Sequence, residues 1–215
     1  MTPRFLTRLL VAAALAVAML PSFAQDSAKV LRMVPQADLK ILDPIWTTAF
    51  VTRDHGYMIY DTLFAIDEKF VVKPQMVDTW TVSDDKITYT FTLRDGLLWH
   101  DDKPVTAEDC VASLKRWGAR DAMGQKLMAV TSELTAPDDK TIKFVLKQPY
   151  GLLLYSLGKP GSNVPFMMPK SVALTDPNSQ ITDATGSGPF IFKKDEWKPG
   201  EKAVYVKNPK YKPRT

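Results

Sequence analysis

Cysteine is all but missing from this 215-residue chain, in which Cys110 stands alone. One thiol cannot close an internal disulfide, so stability has to come from a packed core. Histidine is almost as scarce, with only His55 and His100. Neither sits in a His-x-x-x-His or Cys-x-x-Cys spacing, which excludes the usual zinc arrangements. An excess of one charge is also lacking, since 28 basic residues face 24 acidic ones. That balance argues against partners such as nucleic acid or acidic lipid. No phosphate-binding loop, basic stripe or nucleic-acid module is visible either. Beyond residue 20 there is no second long apolar run, so a soluble mature chain is expected.

The one long apolar run, Leu9 to Leu20, follows a basic start with Arg4 and Arg8 and no acid. Pro21 breaks it, and Ser22 and Ala24 are small residues where a signal peptidase reads. This layout predicts a signal peptide at residues 1–24, cut after Ala24. Twelve apolar residues are too few for a bilayer span, which needs about 20. A lipid anchor would need a cysteine after the run, and Gln25 stands there. A free periplasmic protein is the expectation, with Cys110 buried out of reach of oxidants. Loss of the leader leaves 26 basic and 24 acidic residues, a net charge of +2. The remaining 191 residues can bury about 70% of their unfolded surface, enough for a real core. Ten Phe, five Trp and seven Tyr argue against disorder.

Periodicity places the elements. Residues 29–34 alternate and predict a strand, and 52–64 predict a helix with Thr52 as its N-cap. Ile87, Tyr89, Phe91 and Leu93 fall on one face of a strand over 87–94, paired with 79–82 through a turn at 83–86. Residues 106–118 predict a helix capped by Thr106, with Ala107, Cys110, Val111, Leu114 and Trp117 on its apolar face. A second hairpin joins 131–135 to 141–147, a short apolar helix covers 151–157, and a third hairpin joins 190–192 to 203–206. The tripeptide Asp-Asp-Lys recurs at 84, 101 and 138, each time in a turn, where aspartate caps its own backbone.

Chemistry is sparse. The paired carboxylates Asp84/Asp85, Asp101/Asp102, Glu108/Asp109 and Asp138/Asp139 follow no calcium-loop pattern, and turn or cap roles account for them. Gly186-Ser187-Gly188 lacks the full glycine–x–serine–x–glycine frame of a nucleophile elbow. Its small residues suit close approach of backbone to a ligand or to another segment.

A long segment, Thr90-Phe91-Thr92-Leu93-Arg94-Asp95-Gly96-Leu97-Leu98-Trp99-His100-Asp101-Asp102-Lys103-Pro104-Val105-Thr106-Ala107-Glu108-Asp109, resembles the signature of the family 5 extracellular solute-binding proteins. Leu42-Asp43-Pro44, Tyr60-Asp61-Thr62-Leu63, Met76-Val77-Asp78-Thr79-Trp80, Gly186-Ser187-Gly188-Pro189-Phe190 and Asn208-Pro209-Lys210-Tyr211 match further landmarks in the same order. The resemblance implies an α/β fold with α+β character. This is a periplasmic-binding-protein-like lobe with a mixed sheet and added antiparallel hairpins, its second lobe missing. Residues 25–215 would form the incomplete N-terminal lobe, with a hairpin-rich subdomain inserted at about 67–160. Roughly 300 further residues would complete the two-lobe size.

The implied function is the solute-binding component of an ABC importer. It would carry a peptide or peptide-like small solute to an inner-membrane ABC permease, as a monomer without cofactor, nucleic acid or metal. Two lobes closing over a ligand is the implied motion. Candidate ligand contacts are Trp46, Thr47 and Thr48, then Ser162 and Asn163, then Ser187 and Gly188. Trp46 could stack on a ligand or simply pack, and the glycine–serine segments could equally be turns. A periplasmic hydrolase, or a single-lobe structural protein or non-functional fragment, remains as an alternative. The missing nucleophile–base pair argues against the hydrolase.

Overall fold

The computed structural model describes residues 29–214. The leader and its cut after Ala24 lie outside the described residues. The chain divides into two units, residues 1–34 and residues 35–215. Of the first, residues 29–34 are exposed and carry no strand, contrary to the alternation read from the sequence. Alternation becomes a strand only where a neighbouring backbone accepts its ladder, and none does so among the described residues.

The second unit opens with a loop at 39–49 and a helix, α1, at Phe50–Ile59. Thr52 is not its cap. The helix starts at Ala49 without a side-chain cap, and the buried Thr52 hydroxyl donates to the Ile41 carbonyl at 2.9 Å. The helix also ends sooner than its apolar pattern suggested. Asp61–Thr62 (β1) leaves it to pair with Phe166–Met167 (β8), and Phe64–Ile66 (β2) forms a hairpin with Val72–Pro74 (β3).

The largest sheet contains Val77–Val82 (β4), Thr88–Leu93 (β5), Thr131–Thr135 (β6) and Thr141–Leu146 (β7), in the order β4-β5-β7-β6. Both hairpins read from the sequence are present, and β5 pairs with β7 to join them. β5 and β7 alternate buried and half-buried side chains, with Phe91 and Phe144 fully enclosed. The turns use aspartate as expected: Asp85 accepts the Ile87 amide at 3.0 Å, Asp101 the Lys103 amide at 3.3 Å, and Asp138 the Lys140 amide at 2.9 Å.

One side of this sheet is covered by α2, Ala107–Arg120, which is followed by α3, Ala122–Val130. α2 starts at a capping box. The Thr106 hydroxyl accepts the Asp109 amide, and Asp109 Oδ2 accepts the Thr106 amide at 2.9 Å. Ala107, Cys110, Val111, Leu114 and Trp117 are all buried on it. The Cys110 thiol is enclosed, and burial pushes its pKa up, the opposite of an activated thiolate. A short α4, Leu153–Gly158, and a single turn, α5, Lys170–Ala173, complete the helices used below. Phe190–Phe192 (β9) pairs with Tyr205–Lys207 (β10) as the third hairpin. The helix-and-sheet lobe with added hairpins expected from the sequence is present, but the mixed sheet is not found among the described residues, where every ladder is antiparallel because each strand pairs with an oppositely running neighbour. No helix among them is long and apolar enough to cross a membrane.

Candidate functional site

The loop at 43–48 is built around a buried ion pair. Asp43 and Arg116, the latter on α2, have side chains 0% and 1% exposed. The guanidinium grips both carboxylate oxygens, at 3.1 and 2.7 Å. Asp43 also accepts the amides of Ile45 at 2.9 Å, Trp46 at 3.2 Å and Ile181 at 3.1 Å. With its lone pairs filled this way, the desolvated carboxylate is compensated. Arg116 reaches further, to the carbonyls of Thr175 at 3.3 Å and Ser179 at 3.0 Å.

Two more side chains hold the same loop. The Asn163 amide nitrogen donates to the carbonyls of Pro44 and Ile45, both at 3.0 Å, and of Thr47 at 2.9 Å. Its own carbonyl accepts the Trp117 indole N–H at 2.8 Å. Asn163 is thus brought against Trp46–Thr48, as a brace whose amide hydrogens are spent on the loop rather than held out to a ligand. Arg120, one turn after Arg116 on α2, donates to the Trp46 carbonyl at 3.1 Å and to Asn178 Oδ1 at 2.9 Å. The Trp46 indole N–H donates to the Asn178 carbonyl at 3.2 Å, leaving the ring half-buried. Thr47 accepts the Ala49 amide at 3.2 Å, and Thr48 is exposed. Ser162 is exposed in a left-handed conformation, with φ of 57°.

Ser187 and Gly188 are anchored elsewhere, on the C-terminal end of α1. A Cβ at Gly186 would lie 1.8 Å from the Ile59 carbonyl oxygen, and one at Gly188 would lie 2.6 Å from that of Tyr60. Only glycine permits that approach, and the Gly188 amide then donates to the Ile59 carbonyl at 2.9 Å. His100 clasps the segment from outside. Its Nδ1 accepts the Gly186 amide at 3.2 Å, which leaves Nε2 to donate to the Gly188 carbonyl at 3.3 Å. Burial lowers the His100 pKa, in keeping with this neutral role. Of the two purposes read for these glycines, approach to another segment is the one the geometry uses. Ser187 is 6% exposed, and its hydroxyl has no partner.

Two open concavities, of about 380 and 370 Å³, share Thr182 and Asp183. The first reaches His100 and Lys194, and the second reaches Thr175 and Gln180. Among the described residues no group of three or more His, Cys, Asp or Glu side chains could hold a metal ion. The residues missed by sequence reading are Asp43, Arg116, Arg120 and Asn178. An Arg pair spaced four apart on a helix, and an aspartate inside Leu42-Asp43-Pro44, were the signals available.

A family model described as bacterial extracellular solute-binding proteins, family 5, middle, matches residues 71–215. The probable peptide ABC transporter periplasmic-binding protein y4tO of Sinorhizobium fredii is 47% identical over 186 residues, covering 86% of this chain and 34% of that protein. The probable D,D-dipeptide-binding periplasmic protein DdpA of Escherichia coli is 33% identical over 147 residues, 65% of this chain and 27% of that protein. Among solved structures, the ABC transporter-associated periplasmic binding protein DppA from Helicobacter pylori, in complex with the peptide STSA, superposes with a TM-score of 0.66. It is 26% identical, over 81% of this chain and 38% of that one. The chain spans about a third of the length of the curated relatives it matches.

Proposed function

The chain belongs to the family 5 bacterial extracellular solute-binding proteins, and from that premise we propose that it supplies one wall of a binding site for a peptide or peptide-like solute. The family is one of binding proteins, and the y4tO and DdpA relatives carry peptide and D,D-dipeptide in their names. The observation that supports the reading most is the loop at 43–48. Its backbone is tied down by Asp43, Arg116, Arg120 and Asn163, while Trp46 is only half-buried and Thr48 is exposed. Such preorganisation lowers the entropy cost of capturing a flexible ligand. An indole face suits an apolar side chain or a peptide plane, and threonine hydroxyls suit its polar groups.

Residues 25–215 act as the N-terminal lobe, the hairpins at about 67–160 as a subdomain within it, and residues 1–24 as the export signal. The protein works as a periplasmic monomer, handing its solute to an inner-membrane ABC permease. The test is thermal unfolding with a panel of dipeptides and tripeptides. A ligand at 100 times its Kd adds about 2.7 kcal/mol, so a bound peptide raises the Tm by several degrees. An unchanged Tm across the panel at millimolar concentrations contradicts the reading.

A further inference from the structure

Asn178 lies in the loop after α5 and is exposed, yet it is held on two sides. Its main-chain carbonyl accepts the Trp46 indole N–H at 3.2 Å, and its Oδ1 accepts from Arg120 at 2.9 Å. Its amide donates to Asp176 Oδ1 at 2.7 Å, and Arg116 takes the carbonyls of Thr175 and Ser179 on either side. A guanidinium has only hydrogens to give, so the atom facing Arg120 must be the oxygen. The side-chain NH2 therefore points away from Arg120. Among the described residues it meets no protein acceptor. An exposed asparagine ordinarily samples several rotamers, and fixing one costs side-chain entropy. Here the protein has met that cost before any ligand arrives.

We propose that Asn178 is a specificity-determining residue, whose fixed NH2 donates to a carbonyl or carboxylate oxygen of a peptide lying against Trp46. Arg116 and Arg120 are positioning residues that make the 43–48 loop and the 175–179 loop a single recognition surface. This rests on the peptide-binding reading above and adds to it a donor outside all the segments read as ligand contacts from the sequence.

The test pairs two variants and two readouts in the full gene product, with Ala-Phe, Gly-Leu and Ala-Ala as probes. Asn178→Asp keeps an oxygen for Arg120 but replaces the presented donor by an acceptor. Asn178→Leu removes both. Trp46 exposure is read by acrylamide quenching as the difference from a Trp46→Phe background, which requires no ligand. Asn178→Asp is expected to leave Trp46 quenching as in the wild type while weakening dipeptide binding at least tenfold. Asn178→Leu is expected to weaken binding and also to raise Trp46 quenching about twofold. Wild-type dipeptide affinity in Asn178→Asp overturns the proposal and leaves the peptide-binding reading standing. If the wild type itself binds none of the probes, that reading fails and the proposal falls with it. Unchanged Trp46 quenching in Asn178→Leu overturns the coupling of the two loops.

Discussion

Asp61 and His55 titrate in opposite senses over the same pH range. Burial raises the Asp61 carboxyl from 3.8 to about 6, against the pull of the Thr62 amide, Gln75 and Arg94. The folded protein then holds a proton that the unfolded chain has released. This contribution is full below pH 3.8 and is lost as the pH rises through 6, about 3 kcal/mol in all. Burial lowers His55 from 6.5 to about 4, beside the Tyr205 hydroxyl at 2.7 Å and the edge of Phe192. The unfolded chain binds that proton first, so this contribution is present above pH 6.5 and is lost as the pH falls to 4. The two slopes nearly cancel between pH 4 and 6. Urea unfolding of Asp61→Asn should therefore uncover the histidines: His55 takes away about 3 kcal/mol from pH 6.5 to 4, and His100, lowered by burial in the same sense, adds to the fall. A flat profile in that variant would show that His55 is charged in the fold. Gly186 makes a sharper case. Its alanine variant drives a Cβ into the Ile59 carbonyl and should cost at least about 3 kcal/mol by the same assay. The glycines were legible as points of close approach, because that need is local. Asp43 stood out only as part of Leu42-Asp43-Pro44, and its role did not, since its partner lies 73 residues away on α2.

Among the elements, α2 carries both part of the core and the ties that hold the proposed site. Its inward face packs on the sheet, while Arg116 and Arg120 reach across to two loops. Replacing Arg116 by Met leaves Asp43 buried without its counter-charge and should cost about 3–5 kcal/mol. A double variant that also carries Asp43→Asn should recover part of that loss, as a double-mutant cycle on denaturant midpoints would record. Thr106→Ala should cost about 1 kcal/mol through the lost cap. α2 and the β4–β5 and β6–β7 hairpins were readable because period, cap and turn residues agree within about 15 residues. β1 and β8 were not, for two-residue strands have no period, and only a pairing over more than 100 residues creates them. Thr52 looked like a cap because caps and buried threonines share one residue type. The Ile41 carbonyl, which decides between the two, is set by the path of the preceding loop. The strand read at 29–34 shows the same limit, since alternation without a partner leaves the chain extended and exposed.

At the scale of the molecule, helix and sheet content and family followed from one long signature and its ordered landmarks. The proposed binding surface did not, because it depends on contacts between loops more than 100 residues apart in the chain. The central prediction is that the 43–48 loop, with the half-buried Trp46, captures a peptide without altering it. Calorimetric titration of the full gene product with the dipeptide panel, on the wild type and on Trp46→Ala, tests this most directly. The expected result is saturable one-to-one binding in the wild type, recovery of the peptide intact, and a loss of at least tenfold in affinity in Trp46→Ala. Equal affinity in the two proteins, or a peptide recovered cleaved, would contradict it.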